Sequence, residues 1–446
     1  MSIRSLYNRF FLQGSERTIK TKKNVVLIAI YRGLSILITF LLVPITLNYV
    51  DSGTYGIWLT LSSIVGWISF FDIGINNGLK NRLTEALAKN DSQLGKTYIS
   101  TTYAMLSIIF FPLLVLLMLI IPHIDWNSLL NIQDYSGQGL SAAMCIIAAF
   151  FCLNFILSTI NVVIFAHQDP ADASLCTLFQ QVVSLLVIYL LTLTTEGSLV
   201  NLCIGLCLSP LIVISLYNII LFKGRYKDLS PSIKCVDFKR IPDLLKLGLK
   251  FFVIQFAGVI QFQLVNFLII RNFGSDEVTS YNIAYKYFNI LFMLWSILIT
   301  PIWAAVTDAK IRKDFDWITN MQKKFVHFFW AFLCCGILML LVSSFVFKIW
   351  VGDKVQINFS LSAWLLVYNL VLIFGSIFVN ILNGLGELNL QTIACCISPI
   401  VFILFSTLLI KVGVGVESIL IASIVANFNG FLLAPLQYKH LMRKYR

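Results

Sequence analysis

Long apolar runs recur along the whole chain, and they limit its possible folds more than any other feature. A helix that crosses the ~30 Å hydrocarbon core of a bilayer needs about 20 mostly apolar residues. Because backbone polar groups inside lipid must be paired within their own segment, such runs predict helices. Twelve runs meet this requirement: 25–50, 54–72, 98–121, 138–167, 174–194, 199–222, 247–272, 279–306, 325–350, 359–384, 389–411 and 416–438.

The composition agrees with an all-α integral membrane protein of about twelve transmembrane helices. Of the 446 residues, 58% are hydrophobic and only 12% are charged, which is too little polar material for a soluble globular chain. The first apolar run is longer than a signal-peptide core, and no small-residue cleavage site follows it. We therefore expect this run to remain as the first helix.

The lysines and arginines are distributed unevenly between the segments that join the apolar runs. Alternate joining segments and the two ends hold 26 of the 33, whereas the predicted outer loops hold one, Lys354. This asymmetry predicts that both termini are cytoplasmic. The net charge of +12 thus reflects membrane topology, and nucleic acid is not a predicted partner.

An internal repeat indicates how the helices are grouped. Residues 48–57 (NYVDSGTYGI) match residues 272–283 (NFGSDEVTSYNI) when two inserted residues are allowed. Parallel repeats of this kind relate two bundles, with the substrate site between them. The predicted limits are a cytoplasmic segment 1–24, a six-helix bundle 25–222, a basic cytoplasmic linker 223–246, a second six-helix bundle 247–438 and a basic cytoplasmic tail 439–446.

Enzymatic chemistry has no recognisable place in this sequence. No loop is long enough for a catalytic domain, and LGKT at 94–97 lacks the glycine that a phosphate-binding loop places five residues before Gly95, since Asn90 stands there. The cysteines fall outside the predicted outer loops, where disulfides would form. No cofactor or metal site is predicted, because metal-ligand spacing is missing around the four histidines, His123, His167, His327 and His440.

Polar side chains fall on one face of four predicted helices. At 100° per residue, each set spans less than a quarter of its helix circumference, so we expect the sets to face the bundle interior. Amides there either bond sugar hydroxyls in a hydrated cavity or hold helices together, and their recurrence favours a cavity. The candidate substrate-binding amides are Asn154, Asn161, Gln255, Gln263, Asn266, Asn282, Asn289, Asn369 and Asn380.

Two cations lie within apolar runs that contain no Asp or Glu near their middle. An arginine at the centre of a membrane helix costs about 2.5–3.5 kcal/mol, so Arg32 in VVLIAIYRGLSILITF needs a partner. Without a carboxylate nearby, the counter-ion is expected to arrive with the substrate, and Arg32 and Lys286 are candidates for binding phosphate. The alternative is that each reaches the interface or bonds backbone carbonyls. Further candidate anion contacts at the interface are Lys250, Arg271, Lys80 and Arg82.

Two stretches resemble the polysaccharide-transporter family of O-antigen flippases. They are YGIWLTLSSIVGWISFFDIGINNGLKNRLTEALAKND at 55–91 and NILNGLGELNLQ at 380–391. In the first, Asp72, Lys80 and Arg82 match the family's loop pattern; in the second, Glu387 stands where a basic residue is common.

The resemblance implies a V-shaped pair of six-helix bundles from the multidrug, oligosaccharidyl-lipid and polysaccharide exporter superfamily. It implies a multi-pass protein of the bacterial inner membrane that moves an undecaprenyl-diphosphate-linked oligosaccharide to the periplasmic leaflet by alternating access. Arg32 and Lys286 then become candidate contacts of the diphosphate. The expected partners are this lipid-linked substrate and the bilayer, and the polysaccharide polymerase machinery is a further candidate.

Two other functions stay open at this point. A multidrug antiporter that exports cations shares the superfamily architecture, but it would be expected to place an acid in the cavity. An O-antigen polymerase or ligase would be expected to carry a sizeable basic outer loop, whereas the predicted outer loops are short and nearly free of Lys and Arg.

Overall fold

The computed structural model describes residues 16–66, 75–132, 137–167, 169–244, 263–299, 302–387 and 389–445. The regular secondary structure in these ranges is helical, as the apolar runs predict. The helices are α1 (Glu16–Tyr49), α2 (Ser52–Gly66), α3 (Ile75–Ala88), α4 (Ser92–Ile120), α5 (Trp126–Leu130), α6 (Gly137–Leu157), α7 (Thr159–Ala166), α8 (Pro170–Thr194), α9 (Leu199–Lys223), α10 (263–273), α11 (Ser275–Ile299), α12 (Ile302–Ile311), α13 (Phe315–Val351), α14 (Phe359–Leu385), α15 (Asn389–Lys411), α16 (Glu417–Ala426) and α17 (Ala434–Tyr445).

Nine helical segments of the described chain are long and apolar enough to cross a membrane. The number is ten if α16 and the helical segment after it, which bend by 42° relative to each other, form one span. These segments coincide with ten of the twelve predicted runs. The other two runs, 54–72 and 247–272, extend outside the described residues, so the count of twelve stays a prediction.

Two membrane helices, α4 and α13, begin in the same way. Asp91 and Asp314 each accept a hydrogen bond from the backbone N–H three residues further on, at 2.9 and 3.0 Å. This interaction pairs one of the N–H groups that a helix start leaves unpaired. The residue before each aspartate, Asn90 or Lys313, has a positive φ of 55° or 59° that turns the chain sharply into the cap.

The first of two compact units contains α1, α3, α4 and α6 to α9. Helix α1 packs along α8, and α9 packs on both α6 and α8. The Tyr49 hydroxyl at the end of α1 donates to the Glu196 carbonyl oxygen at 2.9 Å. After α9, the Arg225 guanidinium pairs with the carboxylates of Asp169 and Asp172, at 2.5 and 2.8 Å, and so fixes the start of the linker to α8.

The second unit contains α2 and α10 to α17. Helix α2 packs on α11, although the sequence predicts that these two helices belong to different bundles. Helix α11 also packs on α14. The predicted limits of the six-helix bundles, 25–222 and 247–438, stay a prediction. Helix α14 also approaches the π-helical turn Asn429–Leu433 so closely that a Cβ on Gly375 would lie 2.8 Å from the carbonyl carbon of Gly430.

The contact between Gly375 and Gly430 predicts that a larger residue at position 375 lowers the stability of the protein. Replacing Gly375 by Ala should lower the free energy of unfolding by about 1–3 kcal/mol, because the new methyl group meets backbone that cannot move aside alone. Thermal unfolding in detergent measures the change. Gly33→Ala is the matched control, since no atom lies within 4 Å of a Cβ at that helical position. Equal unfolding temperatures for the two variants would contradict the close contact.

Candidate functional site

Lys286 is a half-buried lysine on α11, about three turns after the helix begins. Its ammonium group donates a hydrogen bond to the hydroxyl oxygen of Tyr55 at 3.0 Å and lies 5.6 Å from the centre of the same ring. Tyr55, on α2, is only 5% exposed. Lys286 takes part in none of the ion pairs of the described residues. A neutral phenol therefore holds this cation.

The start of α2 and the start of α11 are in close contact, which places the phenol beside the ammonium. A Cβ on Gly56 would overlap the carbonyl oxygen of Ser275, so only glycine permits this approach. The Thr279 hydroxyl donates to the carbonyl oxygen of Ser52 at 2.6 Å, and the Ser52 hydroxyl donates to the carboxylate of Asp276. These contacts fix the position of the Tyr55 side chain relative to α11.

An amide network lies one helical turn before Lys286. The side-chain amide of Asn282 donates to the amide oxygen of Asn266 at 2.9 Å, and the amide of Asn266 donates to the Ser63 hydroxyl at 2.7 Å. Gln263, one turn before Asn266, lies against α2 at Gly66. Three helices thus contribute polar groups to one part of the second unit.

Other predicted amides of the second unit bond within their own helices. Asn369 is fully buried, and its amide donates to the Leu365 carbonyl at 2.9 Å while its amide oxygen lacks a hydrogen-bond partner among the described residues. The Asn380 amide donates to the Ser376 carbonyl at 2.8 Å. Asn289 is half-buried, one turn beyond the lysine. These amides lie outside the hydrogen-bonded network.

The remaining candidates divide between the first unit and the undescribed residues. Asn154 and Asn161 are half-buried on α6 and α7 of the first unit. The amide oxygen of Asn161 is buried without a hydrogen-bond partner among the described residues. Gln255 and Lys250 lie outside the described residues, as does Asp72 of the loop pattern.

Arg32 is exposed on α1, on the side opposite to the apolar exposed surface of that helix. At 100° per residue, Val43 and Leu47, which are buried, lie within about 60° of Arg32, whereas the exposed Leu37 and Leu41 lie about 140–180° away. A lipid-facing stripe is expected to be apolar, as the leucine side is. Arg32 therefore lies on the face of α1 that carries buried residues further along the helix.

Two of the interfacial candidates, Lys80 and Arg82, have partners of their own. The Lys80 ammonium lies 5.1 Å from the centre of the Phe165 ring. Arg82 pairs with Glu85 at 2.9 Å, and this hydrogen bond raises the pKa of the Arg82 guanidinium above its usual range. Arg271 is exposed. No hydrogen bond or ion pair of the described residues links these cations to the amide network.

Sequence reasoning missed Tyr55 and Ser63. Both are on α2, and their partners, Lys286 and Asn266, follow more than 200 residues later. Periodicity identifies the polar face of one helix, but it does not identify the opposing helix. The signal that was available is Gly56, since a glycine inside a predicted helix often marks a close approach of backbone.

Solved structures identify the class of fold. A multidrug resistance transporter of the MATE family, which belongs to the superfamily of multidrug, oligosaccharidyl-lipid and polysaccharide exporters, superimposes in its inward-facing conformation with a TM-score of 0.75. The match covers 92% of this chain and 96% of that chain at 16% sequence identity. The chain thus has the fold of a multi-pass membrane transporter.

Sequence comparison identifies the family. The chain belongs to the polysaccharide biosynthesis protein family, whose pattern matches residues 21–306. A Yersinia pseudotuberculosis protein named for O-antigen export is 22% identical over 325 residues, which are 71% of this chain and 70% of that protein. A Salmonella typhi protein named for O-antigen transport is 20% identical over 278 residues, 60% of this chain and 61% of that protein.

The amide network predicts a coupled loss of stability. Asn282→Leu should lower the free energy of unfolding by about 1 kcal/mol, because it leaves the amide oxygen of Asn266 without its donor. Thermal unfolding of purified protein measures this, and the double variant with Asn266→Leu should lose less than the sum of the single losses. The control is Asn272→Leu, an exposed asparagine that bonds only within its own helix. Additive losses would contradict the network.

Proposed function

We propose that this protein is a flippase that moves an undecaprenyl-diphosphate-linked oligosaccharide from the cytoplasmic to the periplasmic leaflet of the bacterial inner membrane. The observation that carries the proposal is the ammonium of Lys286, which is held within a membrane helix by the Tyr55 phenol. A half-buried cation without a carboxylate partner among the described residues favours an anionic ligand. The diphosphate of a lipid-linked sugar supplies that charge.

The surrounding polar groups suit the sugar part of such a substrate. The Asn266, Asn282 and Ser63 side chains supply both donors and acceptors, which is what sugar hydroxyls require. Because these side chains bond to one another, they are already oriented, and a ligand hydroxyl can exchange with one of these bonds without leaving a buried group unpaired. The names of the Yersinia and Salmonella relatives agree with an O-antigen or related surface-polysaccharide repeat unit.

We propose Arg32, on the face of α1 that also carries buried residues, as a second cation that contacts the diphosphate. Its guanidinium can bond a phosphate through two parallel N–H groups, whereas the lysine acts as a point charge. We propose an alternating-access cycle in a protein of twelve helices, arranged as a V with both termini cytoplasmic, in which the lipid tail stays in the bilayer. On the outer side of the membrane, a polysaccharide polymerase would then receive the substrate.

The charge of the site argues against export of cationic drugs, although the fold is shared with a multidrug transporter. A cation exporter needs an acid where its substrate binds. The acidic residues of the described candidate spans lie within the first or last turns of their helices: Asp172, Asp276, Glu277, Asp316, Asp353 and Glu417. The two cations of the proposed site, Arg32 and Lys286, would repel a cationic drug.

A reconstituted transport assay tests the proposal. Purified protein in liposomes receives polyprenyl-diphosphate oligosaccharide in one leaflet, and its appearance in the other leaflet is followed over time. Wild type should translocate the lipid, and Lys286→Gln and Arg32→Gln should each slow it by about tenfold or more, because a charge-assisted hydrogen bond contributes about 1.5–3 kcal/mol. Tyr55→Phe should slow it less, since the ring remains beside the ammonium.

Lys411→Gln is the matched control, because Lys411 is an exposed lysine in the last turn of α15. It should transport at the wild-type rate. Wild-type rates for both Lys286→Gln and Arg32→Gln would mean that neither cation binds the diphosphate. If wild type does not translocate the lipid but confers drug resistance on an efflux-deficient host, the protein is a multidrug exporter instead.

A further inference from the structure

The two units are built alike at the end of the bundle where α4 and α13 begin. In the first unit, α4 and α9 both pack on α6; in the second, α13 and α17 both pack on α14. Helices α4 and α13 also begin alike, each with an aspartate cap that is preceded by a residue of positive φ. Each unit therefore has a groove between the start of one outer helix and the end of the other.

The linker fills this groove in the first unit. The short turn Lys227–Leu229 contacts both α4 and α9, and the Leu229 side chain is buried. The backbone N–H of Ser232 donates to the Ser100 hydroxyl, and that of Asp237 donates to the Thr101 hydroxyl, both at 3.0 Å. The burial of the linker also raises the pKa of the Tyr226 phenol to about 12. The linker thus packs between the start of α4 and the end of α9.

The equivalent groove of the second unit is a cavity of about 390 Å³. Its apolar floor includes Phe378 and Tyr438, whose ring centres lie 5.6 Å apart. Its polar wall is formed by Thr319 and Gln322 of α13 and by two cations of α17, Lys439 and Arg443. The two cations are four residues apart, so they lie on one face of the helix.

These two cations have no carboxylate partner in the part of the chain that the structure describes. Neither Lys439 nor Arg443 belongs to an ion pair of the described residues, in contrast to Arg225, which has two aspartates at the end of the first unit's filled groove. The Thr319 hydroxyl donates to the Phe315 carbonyl oxygen of its own helix, so the Gln322 amide is the donor that α13 adds to the two cations for an anion with several oxygen atoms. The apolar floor suits a hydrocarbon portion attached to that anion.

We propose that this cavity binds a phosphate group, and that an acidic phospholipid supplies it. The lysine and arginine distribution predicts that the end of α17 lies at the cytoplasmic membrane surface, where anionic headgroups lie and attract basic side chains. The phosphate contacts Lys439 and Arg443, and the glycerol and upper acyl chain cover Phe378 and Tyr438. The bound lipid fills in the second unit the space that the linker fills in the first. This site is independent of the transported substrate.

Native mass spectrometry of the purified full-length chain in detergent tests the proposal. Phosphatidylglycerol, phosphatidylcholine, glycerol phosphate and inorganic phosphate are added separately, and the bound fraction is titrated. Phosphatidylglycerol should bind best, and the double variant Lys439→Gln/Arg443→Gln should weaken its binding by about tenfold or more. Lys444→Gln is the matched control, because Lys444 is an exposed lysine of the same helix that does not line the cavity.

A second variant tests the cavity itself without changing its charge. Thr319→Phe should fill the space and weaken phosphatidylglycerol binding to a similar extent, while the unfolding temperature without lipid stays near that of wild type. Inorganic phosphate that binds as tightly as phosphatidylglycerol, and loses affinity in the double variant, would support the phosphate site with free phosphate as its ligand. Phosphatidylglycerol binding that is equal in wild type and in both variants would overturn the proposal.

Discussion

The pairing of polar groups inside a medium without water is the constraint on which this structure depends. In hydrocarbon, each backbone N–H and carbonyl must bond within its own helix, which is why the described chain consists of long helices. A polar side chain in such a helix also needs a hydrogen-bond partner. The partner is a carbonyl of its own helix, a group on a neighbouring helix, or a ligand. Asn369 and Asn380 take the first course, and Asn266 and Asn282 take the second.

The packing that satisfies these groups depends on residues without polar atoms. Gly56 lets the start of α2 touch the start of α11, and this contact places Tyr55 beside Lys286. Gly375 and Gly430 bring α14 against the turn before α17 in the same unit. The close contacts are made of backbone, so their geometry does not relax when a side chain changes rotamer. A site assembled on such contacts keeps its donors and acceptors in place before a ligand arrives.

The sequence predicted the membrane-length helices of the described chain well, because they follow from a local rule. An apolar run of about 20 residues reports a membrane helix by itself, and Lys286 stands out because a charge in such a run is costly. The contacts of Tyr55 and Ser63 could not be predicted in this way, because they depend on which helices pack against each other. The same limit applies to Lys439 and Arg443, which looked like a basic tail until α13 supplied the opposite wall of the cavity.

The partners of the cations divide them into two groups. Some cations hold the structure together, and others are suited to binding a ligand. Arg225 is matched by two carboxylates and Arg82 by one, so an incoming anion would have to displace a charge from either of them. Among the described residues, Lys286 has a phenol as its partner, which bonds the ammonium but does not supply an opposite charge. The proposed diphosphate would therefore approach without removing a carboxylate of the described residues, and the phenol would donate its own proton to a phosphate oxygen. In a low dielectric this difference is larger than it would be in water, because both the attraction and the competition are less screened.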